Sequence, residues 1–148
     1  MIRILFVCHG NICRSTMAQS VLQNMVNNLG LADRFEINSA ATSTEEIGNP
    51  PHYGTVEELR RHSIPTVPHR ARQLTRSDES DYDYIIGMDS ANIRNMRRIL
   101  GSSDKIYKLM SFADMEKDVA DPWYTGDFAR TYADVKLGCE KLLEKLSG

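Results

Sequence analysis

The sequence predicts an α/β fold: a single doubly wound domain over residues 1–148, with a four-stranded, mostly parallel sheet and helices on both faces. Two observations carry this expectation. Short apolar runs rich in β-branched and aromatic residues alternate along the chain with longer stripes at helical spacing. The chemically capable residues sit just after those runs, where open parallel sheets bind ligands.

Residues 2–7 (Ile2-Arg3-Ile4-Leu5-Phe6-Val7) are almost wholly apolar, as expected of a central strand buried on both faces. From Ser15 onward, Ala18, Val21, Leu22, Met25, Val26 and Leu29 recur at helical spacing and stop near Gly30. Residues 35–40 read as a second strand. Pro50 and Pro51 mark a helix start, with Val56 and Leu59 on its inner face. Residues 82–88 form the third strand, and Asp89 or Ser90 caps a helix bearing Ile93, Met96 and Leu100. Residues 105–110 are the fourth strand. Phe128, Tyr132, Val135, Cys139, Leu142 and Leu146 give the final helix one apolar stripe.

A chain of 148 residues with 41% hydrophobic and 26% charged content can bury a core without disulfides or metals. Its net charge of -2 offers no general attraction to nucleic acid or anionic membranes, so any anion site must be local. Arg94, Arg97 and Arg98 on one helix read as a solvated face. No apolar run has the length of a membrane span, and nothing at the N-terminus reads as a signal peptide. Three cysteines (Cys8, Cys13, Cys139) without framework spacing point to a reducing cytoplasm and to no metal centre. A monomer is expected, with weak self-association left open.

The first strand runs straight into Cys8-His9-Gly10-Asn11-Ile12-Cys13-Arg14-Ser15, followed at once by the helical pattern. A thiol and an arginine thus stand at opposite ends of a short loop entering a helix. Backbone N–H groups converging there form an anion nest, and the same field favours the thiolate of Cys8. Arg14 brings a planar fork for two equatorial oxygens of a phosphoryl group. Ser15 can donate its hydroxyl to the sulfur. The plain alternative is a buried thiol at a strand end beside a surface arginine.

Val7-Cys8-His9-Gly10-Asn11-Ile12-Cys13-Arg14-Ser15 resembles the signature of low-molecular-weight protein tyrosine phosphatases. Further matches follow in family order: Ser39-Ala40-Ala41-Thr42, Gly48-Asn49-Pro50-Pro51, His69-Arg70-Ala71-Arg72-Gln73, Met88-Asp89 and Asp121-Pro122-Trp123-Tyr124. The resemblance implies a four-stranded parallel sheet and a two-step reaction without a cofactor. Cys8 would be the nucleophile that forms a phosphocysteine, Arg14 the phosphate ligand and Asp121 the general acid and then base. His9, Gly10, Asn11, Ile12, Cys13, Arg14 and Ser15 would surround the phosphate. Asn11, Ser15, Ser39 and His69 would brace the loop, although Asn, Ser and His at such positions usually have only local roles. The implied partners are tyrosine-phosphorylated proteins.

Asp121 is not singled out by spacing among 20 acidic residues. Protonation helps an aryl oxide to leave, so this role predicts an acidic pH optimum. Trp123 and Tyr124 lie outside any apolar periodicity, which favours a substrate wall over a core position. Glu45, in Thr44-Glu45-Glu46, stands where some relatives carry an aromatic pocket wall; the acidic pair either disfavours acidic phosphopeptides and favours basic ones, or forms a solvated turn. His9 replaces a common apolar residue and belongs at the pocket rim, and Thr16 stands where relatives often have proline. Cys13 either pairs with Cys8 under peroxide or packs beneath the loop. Ile12, where related arginine phosphatases carry threonine, favours phosphotyrosine and leaves phosphoarginine as runner-up. Arsenate reduction lacks a relay cysteine between Cys13 and Cys139, and a non-catalytic phosphate-binding module would need neither nucleophile nor acid.

Overall fold

The computed structural model describes residues 1–147. β1 (Ile2–Cys8) lies between β2 (Phe35–Ala41) and β3 (Tyr84–Gly87), and β4 (Ile106–Lys108) closes the sheet in the order β2-β1-β3-β4. All three pairings are parallel, with Ile4 opposite both Ile37 and Tyr84. The helices are α1 (Arg14–Asn28), α2 (Tyr53–Arg61), α3 (Asp78–Asp81), α4 (Ser90–Leu100), α5 (Pro122–Thr125) and α6 (Phe128–Ser147), with 3-10 turns at Ala32–Arg34 and Leu109–Ala113.

The alternation of β1 divides the core in two. Ile4, Phe6 and Cys8 join α1 and α6 residues such as Val21, Leu22, Val135 and Leu142 on one face. Leu5 and Val7 meet Met96 and Leu100 of α4 on the other. Ile4, Leu5, Phe6 and Val7 have no exposed surface. A fully buried side chain of this size contributes about 1.5–3 kcal/mol, so the strand end that carries Cys8 is firmly anchored. Because β2 and β3 flank β1 on opposite sides, the loop after β1 sits at the switch point of the sheet.

Several boundaries differ from the expectation. α2 begins at Tyr53 rather than at the prolines, because His52 is its cap: its Nδ1 accepts the Gly54 N–H at 3.0 Å. Its inward face is Thr55, Glu58 and Leu59, while Val56 is only half-buried. β3 is shorter than residues 82–88 because Tyr82 ends α3 and Met88 leads into the α4 cap. β4 stops at Lys108, where the chain tightens into the Leu109–Ala113 turn and still buries Leu109 and Met110. At the end of α6, Leu146 is half-buried.

Candidate active site

The loop from Cys8 to Arg14 is shaped by Asn11, which adopts a left-handed conformation (φ 60°) and is fully buried. Asn tolerates this region better than most residues. Its side chain then holds the loop from within: Oδ1 accepts from the Arg72 amide (3.2 Å) and lies 2.7 Å from His69 Nε2, and Nδ2 donates to Ser15 Oγ at 2.8 Å. Ser15 Oγ lies 3.0 Å from Cys8 Sγ. Ser15 Oγ accepts from Asn11 with one lone pair and spends its hydrogen on no other group among the described residues, so the hydroxyl can donate to a sulfur anion. No backbone amide of residues 10–15 donates to a backbone acceptor outside its own helix among the described residues. Those N–H groups are therefore available to an anion at the start of α1.

His69 reaches the loop because residues 71–74 run beside the end of β2. The Ala41 amide donates to the Arg72 carbonyl and the Leu74 amide to the Ala41 carbonyl, each at 2.7 Å. Ser39 Oγ lies 3.2 Å from His69 Nε2 and donates to Gln19 Oε1. Burial, reinforced by the nearby Arg72 charge, lowers the His69 pKa and keeps the ring neutral. With Ser39's hydrogen used on Gln19, the neutral ring donates from Nε2 to Asn11.

The depressed pKa has a defined consequence for stability. Between the folded value and the unfolded value of about 6.5, the unfolded chain binds the extra proton. Stability is therefore complete above that window and declines as pH falls through it. Urea midpoints measured from pH 7.5 to 5 should fall more steeply for wild type than for His69→Gln. Parallel curves would show that His69 is not tuned by burial.

Arg14 is nearly buried, with 3% of its side-chain surface exposed. One terminal nitrogen donates to Asp89 Oδ2 (2.8 Å) and to the Val119 carbonyl (3.0 Å), and the other lies 3.4 Å from Asp121 Oδ2. Burial opposes its charge, yet Cys8, the bond to Asp89 and the proximity of Asp121 together raise its pKa. Asp89 serves two neighbours at once. Its Oδ1 accepts the Asn92 amide at 2.7 Å in a reciprocal capping box, while Oδ2 holds the guanidinium. The sequence shows the capping role and, through Met88-Asp89 after the third strand, a place at the ligand edge, but not the bond to Arg14.

Asp121 caps α5 by accepting the Trp123 amide at 3.0 Å, with Pro122 at the first helical position. Trp123 is 60% and Tyr124 84% exposed, which excludes a core role for either. A cavity of about 100 Å³ brings together Cys8, His9, Gly10, Ile12, Cys13, Arg14, Glu45, Glu46, Asp121, Trp123 and Tyr124. The side chains of Asn11 and Ser15 lie beneath the loop, spent on its internal bonds, so their backbone amides are what they can offer to a phosphate.

At the rim, His9 Nε2 lies 2.9 Å from Glu45 Oε2, both well exposed. Glu46 joins Glu45 in the lining and accepts from Asn49 at 2.6 Å. Burial first, then Cys8 and Asp121, push the Cys13 thiol up to about 12, so it stays protonated against Ile12 and Ala71. Cys139 is wholly buried, and burial raises its pKa too. Thr16 donates its hydroxyl to the Ile12 and Cys13 carbonyls.

A cysteine at the base of an amide-lined loop, facing an arginine and a carboxylate at a parallel sheet's switch point, is the layout of the cysteine-dependent phosphatase class. The family model for low molecular weight phosphotyrosine protein phosphatase matches residues 3–148. The low molecular weight protein-tyrosine-phosphatase YfkJ of Bacillus subtilis is 41% identical over 150 residues, 99% of this chain and 96% of that protein. Its crystal structure superposes with a TM-score of 0.95, covering 99% and 95% of the two chains. The human low molecular weight phosphotyrosine protein phosphatase is 39% identical over 150 residues, 96% of this chain and 94% of its own. A Drosophila arginine phosphatase structure, 28% identical, has a TM-score of 0.90 and covers 99% of each chain. The chain belongs to the low molecular weight phosphotyrosine protein phosphatase family. No described helix is long and apolar enough to cross a membrane.

Proposed function

We propose that this chain hydrolyses phosphotyrosyl groups on proteins, and small aryl phosphates, through a phosphocysteine on Cys8. The observation that carries the reading is the convergence of Cys8, Arg14 and Asp121 on one narrow cavity walled by exposed aromatics. The phosphoryl group sits in the loop with its oxygens on the amides and the Arg14 fork. It displaces the long contact between Arg14 and Asp121 while Asp89 keeps the guanidinium in place. The Cys8 thiolate attacks phosphorus as the bond to the aryl oxygen breaks, and Asp121 gives that oxygen its proton. Asp121 then takes a proton from the water that attacks the phosphocysteine. The Ser15 hydroxyl stabilises the departing sulfur. Trp123 and Tyr124 flank the phenyl ring.

The leaving group provides the test. Asp121→Asn keeps a capping side chain but supplies no proton, so kcat for phenyl phosphate should fall about 100- to 1000-fold. The loss should be much smaller for p-nitrophenyl phosphate, whose leaving group needs little protonation. An equal loss for both substrates would remove Asp121 from the acid role.

Phosphoarginine is the second reading, favoured by the fold shared with the Drosophila enzyme. Against it stands Ile12, an apolar side chain in the cavity lining that suits a phenyl ring better than a guanidinium. Relative kcat/KM on matched phosphotyrosine and phosphoarginine peptides separates the two. Three free thiols support a reducing, cytoplasmic location.

A further inference from the structure

A groove of about 580 Å³ lies between α2 and the α5–α6 corner, outside the phosphate pocket, and Trp123 belongs to the lining of both. The groove thus begins where the pocket wall ends. Its floor is aromatic: the His52 ring stacks on Tyr53 (4.4 Å between centroids) and on Phe128 (5.3 Å), and meets Trp123 edge-on at 5.9 Å. Gly54 makes this floor possible, since a Cβ there would lie 2.4 Å from the Phe128 ring. Tyr53 is 81% exposed, so the floor opens to solvent.

The charges around the floor are unequal. Glu57, Glu58 and Asp127 line the groove against one cation, Arg61. Arg61 is committed to the buried Glu58, which also binds His62. Glu57 is left with only a solvent-exposed pairing to Arg60. Asp127 spends one oxygen on the Arg130 amide and enters no ion pair among the described residues. Two carboxylates beside exposed aromatic faces suit a guanidinium, which can lie flat on a ring while its edge meets an acid. At the rim of the phosphate pocket, Glu45 Oε2 lies 2.9 Å from His9 Nε2.

We propose that this groove is a second substrate subsite, which takes an arginine side chain near the phosphotyrosine of the substrate protein. The inference rests on the phosphotyrosine reading and adds a sequence preference to it. A peptide whose phosphotyrosine fills the pocket passes over Trp123 and places its flanking arginine between Glu57 and Asp127. Phosphate recognition then stays with the loop, and choice among phosphoproteins lies outside it.

The experiment measures kcat/KM at low salt for phosphotyrosine peptides carrying alanine, arginine or glutamate at each of three positions on either side. At one position at least, arginine should exceed glutamate by about tenfold. The ratio should drop below about twofold in a Glu57→Gln/Asp127→Asn double variant, and should shrink with added salt in wild type. Both replacements keep side-chain shape, and an asparagine at position 127 can still cap α6, so p-nitrophenyl phosphate turnover should be unchanged. A ratio that survives in the double variant, or disappears instead in Glu45→Gln, overturns the proposal. So does the absence of any arginine preference in an enzyme that hydrolyses the aryl phosphate and the alanine peptide. A wild-type chain inert towards both would fail at the phosphate pocket itself, and the subsite would fall with it.

Discussion

Cys8→Ser should abolish turnover of p-nitrophenyl phosphate, with a fall in kcat of about 10⁵-fold or more. The replacement is nearly isosteric at a site 3% exposed, so the fold should be little disturbed. What disappears is the nucleophile. A serine hydroxyl needs a base to become reactive, and its nearest partner here is the Ser15 hydroxyl, which is no base. The amide nest and Arg14 remain, so inorganic phosphate should still raise the melting temperature of the variant. Loss of turnover with phosphate stabilisation retained separates nucleophile from binding site. Residual activity within about tenfold of wild type would mean that another group attacks phosphorus.

The sheet, α1, α4 and α6 were legible in the sequence because their apolar residues repeat at one clear period, and the phosphate loop because its parts are contiguous. The short α3 and α5 were not, since four residues are too few to display a period. For Asp89 the sequence shows a cap and a place at a strand's ligand edge, but not its bond to Arg14. That bond runs to a residue 75 positions away, and such a contact is decided by packing β3 beside β1. The same limit applies to Gln19 behind Ser39. Asn11 lies beneath the loop because its left-handed backbone turns its side-chain amide towards Ser15 and His69, a bracing position that the signature implies and spacing alone does not. The groove beside Trp123 joins segments more than 60 residues apart and left no pattern in the chain.

Arg14→Ala should lower kcat/KM about 10³- to 10⁴-fold, and the phosphate-induced rise in melting temperature should vanish with it. Two causes act together. The fork on the equatorial oxygens is lost, and Asp89 and Asp121 are left facing the phosphate with no countercharge between them. Removing one partner of a buried pair costs about 3–5 kcal/mol, so the variant should also be less stable, in contrast to Cys8→Ser. Adding Asp89→Asn relieves the stranded carboxylate and keeps a capping side chain on α4, so it should recover much of the stability. It should recover none of the rate. Arg14→Lys gives the complementary result: the charge is restored, but one ammonium cannot reproduce the planar fork that meets Asp89, Val119 and phosphate together. Its kcat/KM should stay at least about 100-fold below wild type. Near-normal activity in the lysine variant would reduce Arg14 to a point charge, and the geometry imposed by Asp89 would have no part in catalysis.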